Sequence, residues 1–279
     1  MAKSALLKSS LAKKYWMALT GLFLCLFLTG HLAGNLQLIF GTQMQFNEYA
    51  LFMTSNPAVK LLSYLTYISI IFHSIDGIIL TIQNKKARPI GYVKNNPSAN
   101  SGVASRNMAV LGTVILVFIA THMVTFWAKM HFDEKFPLQT VKVDDGMGGK
   151  TEIYIGSEMG KFYPVDTLML SQNGLEIRNQ KEFWNKEANL KMGEGIKDLH
   201  TVVFKFFKDA KLGLFYTIFY VLAMVIMGFH LWHGFQSAFQ SLGVNSSKIT
   251  PIIKLFGKAF AVVVPLLFAI IPLYIHFSK

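Results

Sequence analysis

Five of the eight histidines in this 279-residue chain, His31, His73, His122, His230 and His233, fall inside long apolar stretches. An ionisable side chain at membrane depth is costly and marks a functional candidate. Imidazole there can bond a neighbouring helix, relay a proton or ligate a metal. Four successive apolar stretches each hold at least one histidine, and the fifth has only His276 at its far end. Histidines that merely glued helices together would not divide so evenly, whereas two bis-imidazole metal sites would.

The elements that carry them read as membrane spans. The chain is 52% hydrophobic and 15% charged, too apolar for an ordinary soluble domain. Stretches 15–40, 60–84, 108–129, 212–241 and 255–277 each suffice for the roughly 20 apolar residues that cross a bilayer. The expected fold is an all-α membrane protein with five transmembrane helices, four of them forming the histidine-bearing bundle. It divides into 1–130 (helices I–III), a 131–211 connection, and 212–279 (helices IV–V). Helix I follows Lys13 and Lys14 without a small-residue cleavage site and is read as a retained span.

The net charge of +12 is distributed unevenly. Residues 131–211 hold 12 basic and 13 acidic residues, while the rest hold 15 basic residues against only Glu48 and Asp76. The excess flanks the spans, which fits a membrane orientation signal and not a nucleic-acid surface. Lys3, Lys8, Lys13 and Lys14 precede helix I. Lys85, Lys86, Arg88, Lys94 and Arg106 fill the second connection, and Lys248, Lys254 and Lys258 the fourth. The positive-inside rule therefore puts the amino terminus in the cytoplasm and the 131–211 connection outside. Within that connection, "TVKVDDGMGGKTEIYIG" predicts a hairpin. "GIKDLHTVVFKFFKDAK" predicts an interfacial amphipathic helix leading into helix IV. The single cysteine, Cys25, excludes an intrachain disulfide, a CxxC metal site and a CxxCH haem attachment.

Depth pairs the histidines. Helices I and III run outward and carry His31 and His122 beyond their midpoints, about 5 Å toward the outer side at about 1.5 Å per residue. Helices II and IV run inward, so His73 and His230 fall slightly to the cytoplasmic side. The expected pairs are His31 with His122 and His73 with His230. Gly77 and Gly234 each lie four residues after an inner histidine. Residues at that spacing share a helix face, which clears room for a flat macrocycle beside an axial ligand. Gly30 and Gly34 flank His31 more loosely. A bare zinc or copper ion needs no such space, so the pattern reads as two non-covalent b-type haems. Ser237, not glycine, follows His233 at that offset, which favours His230 as the ligand. "HSIDG" and "HLWHG" also put Asp76 and His233 at matching offsets. Either the two meet beside the inner haem, or Asp76 snorkels to the interface and His233 packs.

With "GHLAGNL", "HSIDG", "ASRNM" and "HLWHGFQSAFQSLG" on five spans, the chain resembles the di-haem cytochrome b subunit of succinate:quinone oxidoreductases and quinol:fumarate reductases. The 131–211 connection is longer than in the family's shorter members. The resemblance implies His31 and His122 as distal haem ligands, and His73 and His230 as proximal ones, with Gly234 and Gly243 following His230 as in the family. It implies an FAD flavoprotein and an iron–sulfur subunit docked on the cytoplasmic face of a bacterial inner membrane. It also implies exchange with a membrane quinone, menaquinone or ubiquinone. Arg88 and Arg106 sit where a haem propionate or partner carboxylate can be met, or serve orientation only. Glu48 is either a proton acceptor at a distal quinol site or a solvated loop residue. Two other readings stand beside this one: a cytochrome b of a hydrogenase or formate dehydrogenase, and a haem-free proton-coupled transporter.

Overall fold

The structure, a computed structural model, describes residues 9–87, 89–90, 96–144, 146, 148–158 and 160–278. Lys3, Lys8, Arg88 and Lys94 lie outside the described residues. Among the described residues, five helical segments are long and apolar enough to cross a membrane: Ser10–Phe40, Pro57–Ala87, Met108–Phe132, Gly213–Ser241 and Ile249–Phe277. The chain is a multi-pass membrane protein.

Helix α1 (Ser10–Asn35) is followed at Leu36 by a short continuation, α2 (Gln37–Phe40). The connection to the next span is itself helical. In α3 (Gln43–Ser55), Thr42 and Gln45 form a reciprocal capping box that satisfies the first turn's free N–H groups. Asn56 then caps α4 (Pro57–Ala87) by accepting from the Ala58 N–H (2.9 Å), and Pro57 occupies the position where a missing N–H costs nothing. Leu61, Leu65, Ile68, Phe72, Ile75 and Ile82 are exposed at helical spacing along α4, as a lipid-facing stripe should be.

Short helices α5 (Pro97–Asn100) and α6 (Val103–Arg106) lead to α7 (Met108–His122). A π-helical turn, Met123–Ala128, carries α7 into α8 (Lys129–Phe132). None of the residues of α7 is buried by protein.

Among the described residues, the departure from an all-α fold is confined to the 131–211 connection. Strands β1 (Thr140–Asp144), β2 (Lys150–Ile155) and β3 (Phe162–Pro164) form one antiparallel sheet. The expected hairpin is its first half, with Thr140 opposite Tyr154. After α9 (Thr167–Gln172), strands β4 (Leu175–Arg178), β5 (Glu182–Asn185) and β6 (Leu190–Glu194) form a second antiparallel sheet. Leu138, Tyr163, Leu170 and Phe183 make a small core here, with Tyr163 and Phe183 stacked at 3.8 Å. The amphipathic helix begins later than its sequence pattern, as α10 (Leu199–Phe207), because the Asp198 carboxylate accepts the Thr201 N–H and fixes the start.

A buried polar knot ties this connection to α3. Asn47, fully buried, donates to Gln139 and to Asp198 Oδ1 (2.7 Å) and accepts the His200 N–H (2.9 Å). Gln43 donates to the other Asp198 oxygen at 2.9 Å. A buried carboxylate so supplied with donors is satisfied without an ion pair.

The last two helices are α11 (Gly213–Ser241) and α12 (Ile249–Phe277). They pack closely enough that a Cβ on Gly228 would lie 3.0 Å from the Ala261 carbonyl. Four helices form a ring: α1 packs on α4 and α11, and α7 packs on α4 and α11. The diagonal partners, α1 with α7 and α4 with α11, scarcely touch each other.

Candidate functional site

The histidines span those diagonals. His31 of α1 and His122 of α7 have ring centroids 5.9 Å apart, and His73 of α4 and His230 of α11 are 6.2 Å apart. Metal–imidazole bonds of about 2 Å on opposite sides of one ion, plus the ring radius, give a centroid separation of about 6 Å. Both pairs match it. Among the described residues no group of three or more His, Cys, Asp or Glu side chains could hold a metal ion. Each pair therefore offers two nitrogen donors, too few for a structural zinc and the number that an iron porphyrin leaves open.

On one histidine of each pair, His73 and His122, an oxygen lies at Nδ1. His73 Nδ1–H donates to the Met17 carbonyl of α1 (3.1 Å), with the Thr20 hydroxyl at 3.4 Å. Thr20 donates its own proton to the Trp16 carbonyl (2.7 Å), so its lone pairs face the histidine. His122 Nδ1 lies 3.3 Å from the Tyr220 hydroxyl of α11. Asn35 sits one turn beyond His31, donating to its carbonyl (2.8 Å), with the same amide nitrogen 3.4 Å from Nδ1 and 3.5 Å from Nε2, so it steadies the turn and selects neither ring nitrogen. His230 Nδ1 is buried without a hydrogen-bond partner among the described residues. Holding Nδ1–H on an acceptor leaves Nε2 bare for a metal.

Two glycines that sequence reasoning passed over receive the inner imidazoles. A Cβ on Gly21 would lie 3.1 Å from His73 Cε1, and one on Gly112 would lie 3.6 Å from His230 Cε1. Each glycine precedes its own helix's outer histidine by ten residues, as "GLFLCLFLTGH" and "GTVILVFIATH". That interval puts the two pairs about 15 Å apart along the bundle, wider than the sequence-based depths. On α1 the difference follows from its start, five residues before the expected span, which moves its midpoint toward the amino terminus and away from His31.

The sequence-predicted glycines behave differently. Among the described residues nothing comes within 4 Å of where a Cβ on Gly77 would stand, and only Met108 Cε, at 3.8 Å, approaches one on Gly234. Both glycines leave open room beside their histidines. The space at Gly34 is instead filled by the Tyr49 ring, which stands where a Cβ would have to go. Asp76 interacts electrostatically with Lys13 and His73, and no hydrogen bond joins it to His233 among the described residues. His233 is half-buried. Arg106 ends α6 and donates to the Ser101 carbonyl. Arg88 lies outside the described residues.

Glu48 lines an open cleft of about 700 Å³ with Leu36, Phe40, Gln45, Tyr49 and Phe52. The cleft lies against the end of α1, and Tyr49 seats on Gly34, three residues from His31. An apolar cleft with one carboxylate, one phenol and two carboxamides, Gln37 and Gln45, next to a histidine pair can bind a flat, weakly polar molecule and exchange a proton with it.

The donor set, the separations and the glycine seats fit two haems. Comparison with known protein families, characterised proteins and solved structures returns no significant match.

Proposed function

We propose that this chain is a membrane-anchor cytochrome b subunit that passes electrons between a cytoplasmic flavoprotein/iron–sulfur assembly and membrane quinone. It is of the kind found in the succinate:quinone oxidoreductases and quinol:fumarate reductases it resembles. The single observation that carries the reading is the placement of both histidine pairs on bundle diagonals, at two depths, with iron-spanning separations. His31 and His122 hold the outer haem, and His73 and His230 hold the inner one. When bound, the haems supply one-electron redox chemistry between the two faces of the membrane.

The protein's own residues do the remaining work. Met17 and Thr20 hold the His73 tautomer, Asn35 steadies the end of α1 beside His31, and the glycines keep the ligand planes clear. In the outer cleft, the Glu48 carboxylate accepts a proton from a quinol hydroxyl and returns it to solvent, to which it is exposed. Lys13, Lys14, Lys85, Lys86, Lys248, Lys254 and Lys258 supply a basic surface for acidic partner subunits at the cytoplasmic side of a bacterial inner membrane. The dicarboxylate chemistry belongs to the flavoprotein.

A pyridine haemochrome spectrum of the purified chain tests this directly. Two haems b per chain are expected, with one lost in each of His31→Ala, His122→Ala, His73→Ala and His230→Ala. A haem-free protein would remove the proposal, and a hydrogenase co-purifying in place of a flavoprotein would redirect it.

A further inference from the structure

We infer that Tyr220 is a positioning residue for the outer histidine pair: its phenolic oxygen accepts the Nδ1–H of His122 and so sets the ring orientation and donor strength of that ligand. The inference rests on the bis-histidine haem reading given above.

The geometry has three parts. First, the Tyr220 oxygen lies 3.3 Å from His122 Nδ1, and among the described residues no other hydrogen-bond partner reaches that nitrogen. Second, the phenol is itself held by aromatic packing. Phe118 and Phe207 meet its ring edge-on, each with centroids 5.0 Å away, and Phe206 lies at 5.9 Å. The hydroxyl therefore stays where the histidine needs it without a flexible stem. Third, the register of α7 against α11 requires the contact. Gly112 faces His230, and moving ten residues up one helix and ten down the other brings His122 level with Tyr220.

The other half of the bundle lacks this device. From Gly21 opposite His73, the same step brings His31 level with Ser63, whose short hydroxyl donates to the Val59 carbonyl at 3.0 Å. The inner ligand His73 uses a main-chain carbonyl that no substitution can delete. Tyr220 is thus a side chain through which one ligand of one site can be tuned separately from the rest.

An acceptor on Nδ1–H makes the imidazole a stronger donor and favours the oxidised metal. Removing it in Tyr220→Phe shifts the outer reduction equilibrium about three- to tenfold toward the reduced form, up to about 59 mV for a one-electron couple.

The experiment is an optical redox titration with EPR of the ferric signals, run on purified wild-type protein, Y220F, Y216F and H122A. H122A identifies the outer component as the one it loses. In Y220F that component shifts upward and its EPR signal changes, while the inner component stays. Y216F moves neither, because Tyr216 stacks on Phe206 at 4.1 Å and bonds no histidine. An outer component that titrates as in wild type, moves downward, or moves together with the inner one overturns the inference. Should Y220F not accumulate, 3-fluorotyrosine incorporation weakens the same acceptor and must move the same component upward; no movement overturns the inference equally. A wild-type protein without haem refutes the function reading itself, an outcome separate from all of these.

Discussion

Gly21→Ala tests whether the inner histidine is seated directly on the backbone of α1. The added methyl would lie 3.1 Å from His73 Cε1 and 3.4 Å from Nδ1, inside the roughly 3.5–4.0 Å optimum for such contacts. His73 must retreat by a few tenths of an ångström. The retreat is opposed by its hydrogen bond to the Met17 carbonyl, 3.1 Å long and made to the same helix that carries the new methyl. Stretching that bond out of range forfeits about 1 kcal/mol, a factor of about five in occupancy by the inner haem. Alanine's higher helix propensity offsets a similar amount, up to about 1 kcal/mol, in the stability of α1. The thermal midpoint in detergent should therefore stay near wild type while the inner haem is lost selectively. Gly112→Ala is the matched comparison. Its methyl meets His230 Cε1 at 3.6 Å and Nδ1 at 3.9 Å, ordinary contact distances, and His230 Nδ1 has no hydrogen bond to break among the described residues. Haem-to-protein ratios over a haem dilution series, with melting curves on the same samples, read both effects. Equal inner-haem occupancy in the two variants, or loss in Gly112→Ala alone, refutes the reasoning.

Asn47→Ala leaves Asp198, Gln139 and the His200 N–H short of a partner in a buried site, and should destabilise the 131–211 connection by about 3 kcal/mol. Limited proteolysis should then cut that region well before the spans. Hydrogen bonds from Lys191 and Asn179 hold the Glu182 carboxyl down at about 2, against an ordinary value of 4.5. A folded-state pKa below the unfolded one means that its contribution is present above pH 4.5 and fades as pH falls toward 2. The Trp184 indole donates to Glu182 at 3.1 Å, so its fluorescence should report that loss in wild type and show no such transition in Glu182→Gln. His233→Ala should keep both haems and His230→Ala should lose the inner one; the reverse outcome would exchange their roles.

The spans were legible because bilayer crossing imposes one requirement, a long apolar run, and the histidines stood out as costly exceptions to it. Their pairing was legible too, since antiparallel helices convert position along the chain into depth. The 131–211 connection was only half legible. Its first hairpin announced itself through Asp-Gly and Gly-Gly, but β4–β6 have irregular alternation, with a bulge between Phe183 and Trp184 that breaks the period. Helix α3 was missed because it is comparatively polar and its apolar residues show little helical periodicity, and its reason for existing, the Asn47 knot, lies some 150 residues away at Asp198. The i+4 glycine argument looked within one helix, so it found Gly77 and Gly234 but not Gly21 and Gly112, which act on histidines of neighbouring helices.

A signal for those neighbours was nevertheless present. Gly21 to His31, Gly112 to His122 and Tyr220 to His230 are all ten-residue intervals. On a helix that interval advances about 15 Å and leaves the two side chains about 80° apart in direction. A glycine can then meet the adjacent helix while the histidine on the same helix aims across the diagonal. Because α11 runs opposite to α7, one interval read in both directions sets Gly112 against His230 and His122 against Tyr220. Glycine or histidine alone says little in a membrane helix, and glycine spaced from histidine once is still weak. The repeat of one interval on both α1 and α7, answered by its reversal on α11, fixes two sites at one separation. Shifting any of these helices by one residue would turn its side chains by about 100° and undo both sites together. The two histidine pairs are therefore one construction, not two independent ones.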